Sequence, residues 1–175
     1  MMAWPQDFTN TIATEYQQLL PDGCPINYLN REAFYHAAKS QETLLVIASG
    51  EMRRFANLLL TRGIQKGDKV AILLMNCLEW LPIYFGVLKT GALAVPLNFR
   101  YTGDEIKYCL ELAEADALVF GPEFIGRVEQ IFDHLHGVKT IFFVGDNKPT
   151  FADSYNKMVH YCSSVAPAVA LAEED

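Results

Sequence analysis

Residues 67 to 100, GDKVAILLMNCLEWLPIYFGVLKTGALAVPLNFR, constrain the fold of this chain more than any other stretch. A glycine turn leads into Lys69 to Leu74, a near-continuous apolar run that suits a parallel strand covered on both faces. An apolar helix follows and stops at Gly91, and Leu93 to Leu97 then reads as a second short strand. Two such strands joined through a helix pair in parallel by a right-handed crossover, so this stretch calls for a sheet with helices laid against it.

The alternation extends on both sides. The short apolar run Thr43 to Ala48 is expected as a buried strand. Met52, Phe55, Ala56 and Leu59 then mark one face of a helix that Gly63 ends. Asn76 with Glu79 has capping-box spacing and is expected to start the next helix, with Leu78, Leu81, Phe85 and Leu88 inward. Pro82 implies a kink or a tight first turn there. Thr102 and Glu105 cap a further helix whose inner face is Ile106, Cys109, Leu110 and Ala113. Ala117 to Phe120 returns as a strand, and Gly121-Pro122 opens a helix with Phe124, Val128, Ile131 and Leu135 facing inward. Thr140 to Val144 is a strand, and Phe151 to Tyr161 a short helix. The first forty residues read as helical segments broken at Pro21-Asp22-Gly23. The expected class is α/β, a mainly parallel sheet flanked by helices on both faces. Residues 1–162 are expected to form this α/β unit and the Ala-rich, proline-broken residues 163–175 a connector.

Composition narrows the function classes. A net charge of −7 with no basic stripe argues against a grip on nucleic acid, which draws on Lys and Arg neutralising phosphates. Apolar runs fall far short of the roughly 18 to 20 residues that a membrane span needs, and the N-terminus has no secretory pattern, so a cytoplasmic location is expected. Cys24, Cys77, Cys109 and Cys162 are scattered without Cys-x-x-Cys spacing, which fits reduced thiols, with Cys77 and Cys109 expected in the core. His134 and His136 sit two apart at a helix end, a spacing that points the rings away from each other and fits solvated or dipole-capping roles better than a metal site.

Three strings, Gly67-Asp68-Lys69-Val70-Ala71-Ile72, Leu88-Lys89-Thr90-Gly91-Ala92 and Val95-Pro96-Leu97-Asn98, together resemble the AMP-forming acyl-CoA synthetases. The likeness covers about residues 50 to 150, whereas residues 1 to 49 depart from the pattern and the stretch before residue 50 is compressed to SGEM. It implies the front of the large N-terminal domain of a carboxylic acid–CoA ligase of the fatty-acid or related type. Such a ligase uses ATP and Mg²⁺ to make an acyl-adenylate, from which CoA displaces AMP. The family's phosphate-gripping loop, rich in Ser, Thr and Gly and ending Pro-Lys-Gly, is not among these 175 residues, so no catalytic residue is assigned and the chain alone is expected to be inactive.

Arg100 is the candidate binding residue. It follows the exit of a parallel strand, where open α/β sheets receive ligands, and its fork suits phosphate oxygens. In some members of the family an Arg at the matching position touches a CoA phosphate; the competing expectation is an ion pair with Asp104 or Glu105 at the next helix start. Apolar surface left uncovered by so short a piece is expected to favour a homo-dimer. Two rival classes are a non-catalytic binding module that kept the fold and a flavodoxin-like nucleotide or flavin binder. The second is disfavoured because no strand-to-helix turn is rich enough in glycine or hydroxyl side chains to hold a phosphate.

Overall fold

The computed structural model describes residues 41 to 171. The chain divides into two compact units, Met1–Ala48 and Ser49–Asp175, and the architecture below is that of the second. The expected helical segments and turn within the first forty residues lie outside the described residues. In order, the elements are α1 (Gln41–Thr61), β1 (Lys69–Leu73), α2 (Trp80–Leu88), β2 (Leu93–Pro96), α3 (Gly103–Ala113), β3 (Ala117–Phe120), α4 (Ile125–Ile131), β4 (Thr140–Phe143), β5 (Asp153–Ser154) and α5 (Tyr155–His160). Short 3-10 turns, Pro122–Phe124 and Phe132–His134, bracket α4.

The five strands form one sheet in the order β2-β1-β3-β4-β5, and every pairing is parallel. Alternate strand residues feed two separate cores. Val70, Ile72, Val119 and Phe142 pack with Phe55 and Leu59 of α1, Ile83 and Val87 of α2 and Tyr155 and Val159 of α5. Ala71, Leu73, Leu118, Phe120, Ile141 and Phe143 pack on the other face with Ile106 and Leu110 of α3 and Val128 and Ile131 of α4. This double-sided burial is why the strands read as unbroken apolar runs instead of alternating ones.

Three expectations are corrected. Thr43 to Ala48 lies inside α1 and is helical. A short apolar run cannot be told from a helix segment by periodicity, and here it continues without a break into the amphipathic pattern of Met52 to Leu59. Asn76 does not start α2: it sits exposed in a bend, and the helix begins at Trp80 with Glu79 as its N-cap and no side-chain capping bond. Pro82 therefore falls in the first turn, where its missing N–H has no intrahelical partner to lose. The third correction concerns the buried face of α2. Pro82, Ile83, Gly86 and Val87 are buried, while Leu81, Phe85 and Leu88 are exposed. WLPIYFGVL is apolar nearly all round, so its period does not choose a face. Gly86 does: a Cβ there would lie 2.9 Å from Phe55 Cδ1 and 3.0 Å from the Met52 carbonyl oxygen, so α2 closes on α1 at the one residue without a side chain. The helix expected over Phe151 to Tyr161 is also shorter: Asp153–Ser154 is the strand β5, and only Tyr155–His160 is helical.

An ion cluster ties the amino edge of the sheet together. Lys139 Nζ lies 2.9 Å from Asp116 Oδ1 and 3.3 Å from Asp68 Oδ2, and Asp116 Oδ2 accepts from the Lys69 N–H at 2.9 Å. The turns that open β1, β3 and β4 are thereby joined. Burial pushes the Asp116 carboxyl up, but the hydrogen bonds from Lys139 and the Lys69 amide, with the charges of both lysines, outweigh it and hold the group below its ordinary value. A carboxyl depressed in the folded state contributes stability above its unfolded pKa of about 3.9 and loses it as pH falls through the folded value. Urea midpoints of the wild-type chain should therefore fall on acidification below about pH 4, and those of Asp116→Asn should fall less steeply over the same window.

Candidate functional site at the carboxyl edge

In a parallel sheet of this order the strand sequence reverses direction between β1 and β3, and ligands enter beyond the carboxyl ends of the strands at that point. The loop after β1 contains Met75, Asn76 and Cys77, all exposed, and the loop after β3 starts at Gly121. A Cβ on Gly121 would lie 3.1 Å from Glu123 Oε2 and 3.3 Å from Leu74 Cδ2, so an apolar side chain and a carboxylate lie against this turn. That lining repels a phosphate. Cys77 is a correction to the expected core thiol: the residue is exposed, yet its sulfur is shielded enough that burial, then the charge of and hydrogen bond to Glu79, push the thiol up to about 12. It is protonated at neutral pH and is no nucleophile.

The loop after β2 has a different character. The Leu97 N–H donates to the Ile72 carbonyl at 2.8 Å, extending the β1 pairing past Pro96. Asn98 Oδ1 accepts from the Arg100 N–H at 3.0 Å and the Tyr101 N–H donates to the Asn98 carbonyl at 3.1 Å, which closes a tight turn around Phe99 and Arg100. Thr102 then caps α3 as its sequence implies. Its hydroxyl accepts from the Glu105 N–H at 3.3 Å, while Glu105 Oε2 accepts from the Thr102 N–H at 2.7 Å and the Thr102 hydroxyl at 2.9 Å. The backbone N–H and hydroxyl of Thr102 keep the Glu105 carboxyl below its ordinary value.

Arg100 is exposed, its guanidinium 5.3 Å from the centroid of the Phe99 ring, and it forms no ion pair with any described carboxylate. No pairing with Asp104 or Glu105 is formed, and Glu105 is committed to its own helix cap. A residue that the sequence reading missed holds the loop from outside: Arg127 of α4 donates through Nη1 to the carbonyls of Phe99 at 2.8 Å and Tyr101 at 2.9 Å, and stacks 5.4 Å over Phe124. No signal in the sequence points to it, since its acceptors are backbone carbonyls 26 and 28 residues away. Arg100 therefore stands free on a turn fixed from both sides. It can bind an oxyanion; it offers neither a base nor a nucleophile.

Other chemistry-bearing groups are already engaged. A cleft of about 280 Å³ at the amino ends of β4 and β5 is lined by Arg62, Lys139 and Lys148. Arg62 pairs with Asp153 at 2.6 Å, Lys139 belongs to the ion cluster, and Lys148 donates to the Ala152 carbonyl at 2.9 Å. His134 and His136 are exposed on either side of buried Leu135. Among the described residues no group of three His, Cys, Asp or Glu is placed to hold a metal ion, and no helix is long and apolar enough to cross a membrane.

The model of the AMP-binding enzyme family matches residues 48–171, and the chain belongs to that family. The match begins where the second compact unit begins. A second model, that of the RbsD / FucU transport protein family, matches residues 3–65. Among curated proteins the chain is similar to the crotonobetaine/carnitine–CoA ligase of Citrobacter koseri, 40% identical over 102 residues, which are 57% of this chain and 19% of that protein. The Escherichia fergusonii ligase of the same name is 43% identical over 46% of this chain and 16% of its own length. The chain thus spans about a fifth of the length of these relatives. Among solved structures it is similar to the anthranilate CoA ligase AuaEII in complex with anthranoyl-AMP, with a TM-score of 0.67 and 27% identity over 70% of this chain and 24% of that one. A fatty acyl CoA synthetase of Mycobacterium tuberculosis gives 0.63 and 28% over 72% and 24%. The fold is that of the N-terminal part of an acyl-CoA ligase.

Replacing Arg127 with alanine removes two charge-assisted hydrogen bonds at a partly exposed site, so the stability loss should be only about 1 kcal/mol. The expected signature is local: faster amide exchange from Arg100 to Thr102 with the protection of β1 and β3 unchanged.

Proposed function

We propose that the chain is the N-terminal part of an ATP-dependent, AMP-forming carboxylic acid–CoA ligase, and that this piece by itself is catalytically inert. The observation that carries the reading is the family match, which runs across the whole parallel sheet and its helices. In such an enzyme a carboxylate attacks the α-phosphorus of ATP, releasing pyrophosphate, and the thiol of CoA then displaces AMP from the acyl-adenylate. Among the described residues no strand-to-helix turn carries the run of Gly, Ser, Thr and Lys that would grip a triphosphate, and the turn at Gly121 has Leu74 and the Glu123 carboxylate beside it. Those steps belong to polypeptide outside this chain. The substrate class we assign is a carboxylic acid, of the fatty-acid or a related type.

What this chain supplies is a wall and one charge. Arg100, unpaired and held on a rigid turn, suits a phosphate of CoA approaching the carboxyl edge. In the intact ligase Arg100→Ala should raise the apparent CoA constant roughly ten- to a hundred-fold, the equivalent of about 1.5 to 3 kcal/mol, and leave acyl-adenylate formation nearly unchanged. A lowered melting temperature with unaltered CoA kinetics would count against the assignment. For the isolated chain the expected result with ATP, Mg²⁺, a carboxylic acid and CoA is no pyrophosphate release above a blank without protein. The reading frame past Asp175 separates this proposal from a free-standing binding module: a Ser/Thr/Gly loop ending Lys-Gly supports the ligase, and a stop codon the module. The exposed stripe Leu81, Phe85 and Leu88 on α2, with Leu93 at the sheet edge, supports self-association of the isolated chain. Light scattering over a dilution series should show a dimer at high micromolar concentration, and a monomer throughout would refute it.

A further inference from the structure

Residues 161–171 contain no helix or strand, yet the course of 161–165 is fixed. Arg54 Nη1 donates to the carbonyls of His160 at 3.0 Å and Cys162 at 2.6 Å. One turn along α1, Asn57 Nδ2 uses both of its hydrogens on the carbonyls of Ser163 at 2.7 Å and Val165 at 2.9 Å. The Val165 N–H returns to Ser163 Oγ at 3.1 Å. The path ends with Leu171 beside the turn between α2 and β2: a Cβ on Gly91 would lie 3.0 Å from Leu171 Cδ2.

Apolar burial does not hold this segment. Tyr161 and Val165 are 87% and 72% exposed, and an open groove of about 510 Å³ lies between it and α1, lined by Asn57, Leu60, Thr61, Tyr161, Cys162 and Ser163. A strand of chain that buries little hydrophobic surface stays in one path only if its backbone is tied. Two side chains on one face of α1, three residues apart, make four such ties. Glu51 lies 4.0 Å from the Arg54 Nε and steadies it from the preceding turn.

We infer that Arg54 and Asn57 are positioning residues: they clamp residues 160–165, direct the chain that follows toward the turn at Gly91 and, in the ligase proposed above, would thereby orient the approach to the part that handles ATP. The inference rests on the ligase reading above. Neither residue touches a reacting group; each acts through the direction it imposes on the chain.

Asn57→Asp is the discriminating variant, since it keeps the shape and replaces both donors by acceptors that repel the two carbonyls. In the 175-residue chain, hydrogen exchange at the amides of Tyr161, Cys162 and Val165, which donate to the Met158 and Val159 carbonyls and to Ser163 Oγ, should accelerate several-fold in Asn57→Asp and in Arg54→Ala, with β1, β3 and β4 unchanged. In the intact ligase, kcat for acyl-adenylate formation should fall about ten-fold while the KM for CoA holds, and Asn57→Gln, which keeps the amide donors, should recover part of the loss. Unchanged exchange in the variants overturns the clamp, and so does faster exchange with adenylation at the wild-type rate. An intact wild-type protein that forms no adenylate at all would remove the ligase reading itself and this inference with it, an outcome distinct from active wild type with unaffected variants.

Discussion

Everything in this unit depends on β1 being covered on both faces. Val70, Ala71, Ile72 and Leu73 are each at most 1% exposed, with a parallel neighbour on either side. Full burial of a Val, Leu or Ile side chain contributes about 1.5 to 3 kcal/mol, so Val70, Ile72 and Leu73 together contribute on the order of the net stability of a whole domain. The cost is that both faces need helices. The two crossovers that leave and return past β1, through α2 on one face and α3 on the other, supply them, and the reversal between them places the loop carrying Arg100 beyond the sheet's carboxyl edge.

The two ends of the sheet are treated in opposite ways. At the amino edge Lys139 bridges Asp116 and Asp68, and the three side chains staple three turns. At the carboxyl edge the loop after β2 is tied by backbone and capping bonds and by the Arg127 guanidinium on two of its carbonyls, which leaves Arg100 itself out of the ties. The exposed edge of β2 is blunted rather than sealed. Leu93 and Leu97 spend their N–H groups on β1, so the outward positions are Ala94 and Pro96, and Pro96 has no N–H to offer a further strand.

Strands β1 to β4 and the capping box of α3 were legible because each is written locally: an apolar run between turns, or Thr and Glu three apart. What escaped was set by contacts remote in sequence. The inner face of α2 was misread because nine nearly all-apolar residues carry no phase, and the residue that fixes it, Gly86, acts through Phe55 and Met52 some thirty residues earlier. Thr43 to Ala48 was misread because a short apolar run carries no period of its own, and only its continuity with the rest of α1 makes it helix.

Arg100 and Arg127 show why the candidate site was half legible. As residues they are equivalent, and the sequence marks Arg100 only by its place after a strand. The difference in duty comes from what surrounds each. The carbonyls of Phe99 and Tyr101, the acceptors nearest to Arg100 along the chain, are taken by Arg127. One of the two carboxylates expected to pair with it, Glu105, is held by the Thr102 N–H and hydroxyl. Two local partners of Arg100 are therefore engaged by neighbours, and its exposed guanidinium lies 5.3 Å from the centroid of the Phe99 ring. The availability of that charge is a property of the loop as a whole, created by Arg127 and the α3 cap together.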